Sequence, residues 1–350
     1  MRKLKRIIAV ALGVICALFL LMHLTYMQRG YTKLMGFYGE EKNTIDVCFV
    51  GTSSTFSIFM PMEAWNEYGM ASFNYCTNMQ FENALKYSLT DLERTQDPSV
   101  ILIDIAPFIY GHYAGNTDFS EEDRQLFIKY NLDSRRYHAD RLALSYEITR
   151  DNGGGFADFW YYVCDFTRYH TNTLTWSHFN NSEKDINKGY EYMLHDGGQA
   201  FTLSEVLAPD DSVVTPLEGI ELTYLQELVE KIQGMDCQVV MYCGPIYFRE
   251  TEQLGRKNFV EQYAQDAGIT FWDLTDHIEE MDLDCETDYW NTYHFDALGA
   301  QKTTAYLAAK IEETFDLPDH RQDAEYAQWN EDYAEWEARL DSYIASDQAN

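Results

Sequence analysis

The run Ile45-Asp46-Val47-Cys48-Phe49-Val50-Gly51-Thr52-Ser53-Ser54-Thr55 changes character at its middle. Up to Val50 it is apolar and strand-like; from Gly51 it is a glycine followed by small hydroxyl residues. In an open α/β sheet, ligands bind at the carboxyl ends of the strands. A serine just past such a strand is therefore held at the rim where chemistry takes place. A second stretch lies far downstream, Asp288-Tyr289-Trp290-Asn291-Thr292-Tyr293-His294-Phe295-Asp296-Ala297-Leu298-Gly299-Ala300. It places a histidine in the loop before the last long apolar-periodic segment. In a doubly wound sheet that loop shares a rim with the turn after the first strand, so Ser53 and His294 are expected to meet.

The rest of the chain supplies such a sheet. Strands are expected at Ile45 to Val50, Ala71 to Tyr75, Ser99 to Ile105, Cys237 to Cys243 and Ile269 to Leu274. The third is apolar throughout except for Asp104 and ends at Ala106-Pro107, the pattern of a strand buried on both faces. Ser57 to Pro61 reads as a loop. Helices are expected at Met62 to Tyr68, Glu82 to Arg94, Pro216 to Gln233, Glu250 to Ala267 and Leu298 to Phe315. Alternating strands and helices imply a doubly wound, flavodoxin-like parallel sheet of about five strands with helices on both faces. Residues 109–215 differ in texture. They are dense in Tyr, Phe, Trp and His and carry glycine clusters at Gly153 to Gly155 and Gly197-Gly198. This is read as a helical, aromatic insertion within an α/β domain of residues 45–318. The acidic tail, residues 319–350, spaces Tyr326, Trp329, Tyr333, Trp336 and Leu340 three and four apart, as an amphipathic helix lying on the domain or on a partner does.

Composition limits the function. The chain has 350 residues, 46% of them hydrophobic, too many for a disordered protein. A formal net charge of −31 argues against sequence-independent binding to nucleic acid or to anionic lipid, which need clustered Lys and Arg. Near the N-terminus, Arg2, Lys3, Lys5 and Arg6 precede an apolar run from Ile7 to about Met27. Roughly 20 apolar residues match a bilayer core, and the basic flank is expected to stay in the cytoplasm. Bulky Leu20-Leu21-Met22-His23 stands where a signal peptide would carry small residues for cleavage. Residues 1–29 are therefore expected to be a basic flank with an uncleaved transmembrane anchor, and 30–44 a juxtamembrane link. The main domain would be extracytoplasmic. The seven cysteines show neither a CxxC pair nor a zinc-like Cys/His spacing.

A serine is a poor nucleophile until a base takes its proton and a third group orients that base. Gly51 and Thr52 allow a sharp turn that leaves backbone N–H groups to face a developing oxyanion. Position 55 is threonine, so this is not the Gly-x-Ser-x-Gly elbow. The bland alternatives are an ordinary strand-to-helix turn for Ser53 and a surface histidine flanking a helix for His294.

Gly51-Thr52-Ser53 after the first strand, with the His294 loop before the last helix, resembles the SGNH (GDSL-type) hydrolase superfamily. In closer texture it is similar to the membrane-anchored branch of DltD-like and alginate-acetylation-like proteins. The matching pieces are Phe49 to Ser53 through Pro61, Phe73 to Gln80, and Asn291 to Ala300, within residues 45–108 and 216–315. The resemblance implies a serine esterase or acyltransferase with Ser53 as nucleophile and His294 as base, working without a cofactor or metal. Its substrates would be O-acyl groups, acetyl or D-alanyl, on cell-envelope polysaccharide or teichoic acid, with a membrane O-acyltransferase as partner. The family's triad acid stands three residues before the histidine, and here that position is Asn291; Asp288 or Asp296 could replace it. The oxyanion hole would use the Ser53 amide, the backbone near Cys76 and the Asn78 side chain. No Gly-x-Asn-Asp third block is present, and Asp104-Ile-Ala-Pro107 stands in its place. These departures keep a second class open, an inactive accessory subunit of an acylation complex. A third is a glycan-binding module using the aromatic insertion.

Other motifs weigh less. Asp196 to Gln199 reads as a turn, since no helix with a lysine follows as a phosphate loop requires. His112, His138, His170, His178 and His195 form no metal-binding pattern, and Asn180 to Ser182 matches a glycosylation acceptor by accident. The aromatic cluster Phe156 to Trp176 reads as core before sugar platform.

Overall fold

The computed structural model describes residues 2–27, 33–171, 185–193 and 201–347. Trp176, His178, Asn180 to Ser182, His195 and Asp196 to Gln199 lie outside the described residues. After the N-terminal helix α1 (Arg2–Met27) come β1 (Val47–Gly51), α2 (Ser53–Ile58), α3 (Pro61–Tyr68), β2 (Ser72–Cys76), α4 (Glu82–Thr95) and β3 (Val100–Asp104). A helical region follows: α5 (Ala106–Ile109), α6 (Glu121–Asp133), α7 (Ala139–Asp151), α8 (Phe156–Val163) and α9 (Asp165–Tyr169). The alternation resumes with α10 (Gly219–Gln233), β4 (Gln238–Cys243), α11 (Thr251–Asp266) and β5 (Thr270–Asp273). A short hairpin, β6 (Tyr289–Asn291) and β7 (His294–Phe295), leads into α12 (Ala297–Thr314), and α13 (Ala327–Asp347) closes the chain.

β1 to β5 form one sheet in the order β2-β1-β3-β4-β5, every pair parallel. β1 to β3 are buried along their whole length; β1 and β3 accordingly run apolar almost without a break, while β2 buries Ser72 and Asn74 among its apolar residues. Right-handed crossovers send α4 and α10 to one face and α3 to the other. The helix contacts agree: α4 packs on α10, and α3 on α12 and α13. The chain reverses direction at β1, with β2 on one side and β3 on the other, and at such a point the strand ends open a crevice.

Of four expectations, two need correction, the third is narrowed to one of its alternatives and the last is left without support. Residues 33–44 are no detached link, because Leu34, Phe37 and Tyr38 are buried and Phe37 packs edge-on to Phe73 and Tyr75 of β2. Ser57 to Pro61 is no simple loop: α2 begins at Ser53 and buries Phe56 and Ile58. The tail lies on the domain itself, with Trp329, Trp336 and Leu340 buried and Trp65 of α3 against Trp329. The fourth concerns the anchor. Among the described residues, no helix is long and apolar enough to cross a membrane. The transmembrane helix is therefore without support in the fold.

Candidate active site

β1 ends at Gly51, and the chain turns at once into α2, whose first residue is Ser53. The turn requires glycine for space. A Cβ at position 51 would meet the Thr55 hydroxyl and come within 2.6 Å of Asp104 Cβ. The hydroxyls around the turn are tied down: Ser54 Oγ and Thr55 Oγ1 each donate to Asp104 Oδ2 at 2.8 Å. Ser53, half-buried, points elsewhere. Its Oγ lies 2.7 Å from Nε2 of His294, 241 residues along the chain.

The β6–β7 hairpin holds that histidine. Asn291 Oδ1 accepts the backbone N–H groups of Tyr293 (3.0 Å) and His294 (2.9 Å), which closes the turn between the two strands. Thr292 O accepts Tyr247 N–H (2.8 Å) and Pro245 O accepts the Tyr289 hydroxyl (2.8 Å), docking the hairpin on the loop after β4. Asp296 caps α12 by accepting Gly299 N–H at 3.0 Å. Asp288 Oδ2 accepts from Lys302 Nζ and from Asp284 N–H, both at 2.7 Å.

None of the three residues expected to orient the imidazole, Asn291, Asp288 and Asp296, is hydrogen-bonded to it. The Asn291 carbonyl oxygen is used by the turn, and Asp288 is used by Lys302. Nδ1 of His294 is buried with no hydrogen-bond partner among the described residues. When Ser53 donates to Nε2, Nδ1 must carry the proton, and a buried donor without an acceptor costs about 1–3 kcal/mol. Tyr293 and Trp290, whose role the sequence did not disclose, stand 4.6 and 5.8 Å from the ring, and Tyr110 packs on Tyr293. Burial pushes the His294 pKa down to about 4. The site is a Ser–His pair with a weakened base.

On the oxyanion side, the Ser53 amide lies in the first turn of α2, where helical N–H groups lack intrahelical acceptors. β2 brings Cys76 level with Gly51. The Cys76 thiol donates to Phe49 O and the Thr77 N–H to Gly51 O, so neither is left for substrate. Asn78, half-buried, sits in the turn that follows. Asp104, in the place of the third-block asparagine, accepts hydrogen bonds from the turn instead of donating to an oxyanion. A separate cavity of about 340 Å³ opens beside the loop after β4, walled by Leu203, Leu207, Ile246, Phe248, Leu254 and Ile278. Among the described residues, no group of three or more His, Cys, Asp or Glu side chains is placed to hold a metal ion.

No family model matches the chain, and no curated protein matches it. A solved structure to which it is similar is an active-site mutant of a family two carbohydrate esterase from Clostridium thermocellum, determined with a bound ligand. Identity is 10%, the TM-score is 0.32, and the match covers 78% of this chain and 64% of that one. A likeness of that size adds no weight to any reading of the site, which rests on the geometry above.

Proposed function

We propose that the chain is a serine esterase or acyltransferase that passes an acyl group through Ser53. The observation that carries this is the 2.7 Å contact between Ser53 Oγ and His294 Nε2 at the carboxyl end of β1. In the reaction, Ser53 Oγ attacks the ester carbonyl while its proton moves to Nε2. The oxyanion forms beside the Ser53 amide and Asn78. Collapse breaks the bond to the alcohol, which leaves with the proton from Nε2. Water or an acceptor hydroxyl then attacks acyl-Ser53, giving its proton to His294; the bond from the acyl carbon to Ser53 Oγ breaks, Oγ takes that proton back from Nε2, and the acid or the new ester departs. Following the family resemblance, the substrates are acetyl or D-alanyl esters of cell-envelope polysaccharide or teichoic acid. A membrane O-acyltransferase is the partner, and the basic flank and apolar run of α1 hold the domain outside the membrane.

The second reading is a non-catalytic accessory subunit, favoured by Nδ1 of His294, which has no hydrogen-bond partner among the described residues. The full chain treated with a fluorophosphonate probe and with 4-nitrophenyl acetate separates the two. Labelling and turnover that vanish in Ser53→Ala support the enzyme. A folded wild type that takes no label and leaves the ester untouched points to the accessory role.

A further inference from the structure

We infer that Asp104 is the positioning residue of the reactive serine, gathering the neighbouring hydroxyls and leaving Ser53 aimed at His294. This rests on the reading of Ser53 as nucleophile. The chain places four hydroxyls in a row, Thr52-Ser53-Ser54-Thr55, and by sequence any of them could react. Each hydroxyl has one proton to give. Ser54 and Thr55 give theirs to Asp104 Oδ2, each at 2.8 Å. Since the Ser54 proton is committed, the 2.8 Å contact between Thr52 and Ser54 must be a donation from Thr52. Likewise the Tyr242 hydroxyl donates to Thr55 Oγ1 at 3.2 Å. Two short chains of hydroxyls thus converge on one carboxylate, each bond polarising the next.

Asp104 also accepts backbone N–H groups on both sides of the crevice, Ala106 at 2.9 Å and Thr52. It is therefore bonded to residues 52, 54 and 55, on either side of Ser53. That fixes the backbone before and after the nucleophile, and with it the direction of the Ser53 Cβ–Oγ bond. A carboxylate suits this task because it offers only acceptor sites, whereas an amide presents a donor on one side. Asp104 is 3% exposed. Burial raises its pKa, and the hydrogen bonds from Ala106, Ser54, Thr55 and Thr52 oppose the rise.

The test compares wild type, Ser53→Ala and Asp104→Asn at a temperature well below every melting midpoint. Because misplacing a reacting atom by about 1 Å can cost 10²-fold, Asp104→Asn is expected to lower kcat for 4-nitrophenyl acetate by roughly 10- to 100-fold with KM unchanged. Mapping the fluorophosphonate by fragmentation adds a readout that a purely structural role would not move. Wild type carries the label on Ser53, and Asp104→Asn divides it between Ser53 and Ser54. If Asp104→Asn does not fold, the double variant Ser54→Ala with Thr55→Val removes the same bonds from the other end. Its expected result is the same loss in kcat. A folded Asp104→Asn with wild-type kcat and label on Ser53 alone overturns the inference while leaving the esterase reading intact. A wild type without Ser53-dependent labelling overturns both.

Discussion

An imidazole taken out of water holds its proton less tightly, because the charged form loses hydration that nothing around it replaces. At His294 burial is the whole cause, and the pKa falls to about 4 from an ordinary 6.5. A lowered pKa means the base stays neutral, and competent, well into acid. The acid limb of kcat/KM, which reports the free enzyme, is therefore expected near pH 4, with an even rate from pH 7 down to about 5. An inflexion between about pH 6 and 7 would contradict the described surroundings of the ring. Asn291→Asp sharpens this. Its carboxylate can still accept the Tyr293 and His294 amides, so the turn survives, and it brings a negative charge beside the imidazole. The acid limb should move up toward 6.5; the same pH–rate profile, measured on the variant, checks it.

The hairpin that carries His294 depends on how closely α12 approaches it. At Gly299 a Cβ would run into the carbonyl group of Asp288 and lie 2.8 Å from the Phe295 ring. Backbone cannot move aside as a flexible side chain can. Gly299→Ala is expected to destabilise the chain by about 1–3 kcal/mol and to cut Ser53 labelling by displacing His294. Thermal melting and labelling rates on the same preparation check both effects. β1 and β3 were legible in sequence because burial on both faces leaves nearly unbroken apolar runs. Gly51-Thr52-Ser53 and His294 were legible because rim position follows from the order of elements. The hairpin itself was not, since strands of two and three residues carry no measurable period. Nor was the role of Asp104, because a carboxylate at a strand end looks the same in sequence whether it faces substrate or clamps a turn. Asn291 misled for a related reason: spacing places it beside His294 but does not say which N–H its oxygen takes.

Across the whole molecule, parts far apart in sequence meet at Lys188. Its ammonium, on a side chain 2% exposed, binds Glu40 at 2.7 Å and Asp332 of α13 at 3.0 Å, and it lies 4.4 Å from the Trp329 ring centre. One lysine thus joins the stretch before β1, the insertion of residues 109–215 and the C-terminal helix. Next to it, Gly189 with φ +86 sits too close to Asn74 O of β2 for any side chain. This explains why residues 33–44 and 327–347 behave as parts of the domain rather than as appendages. Removing one member of a buried ion pair leaves the other charge without compensation, which costs about 3–5 kcal/mol. Lys188→Ala is expected to lose stability on that scale in a denaturant melt of the full chain, because the Asp332 carboxylate is fully buried and loses its ammonium. Ser53 labelling below the melting transition should be unchanged, since none of these groups touches the β1 turn or the hairpin. A fall of less than about 1 kcal/mol, the scale of an exposed ion pair, would mean that the three segments are held by apolar packing alone.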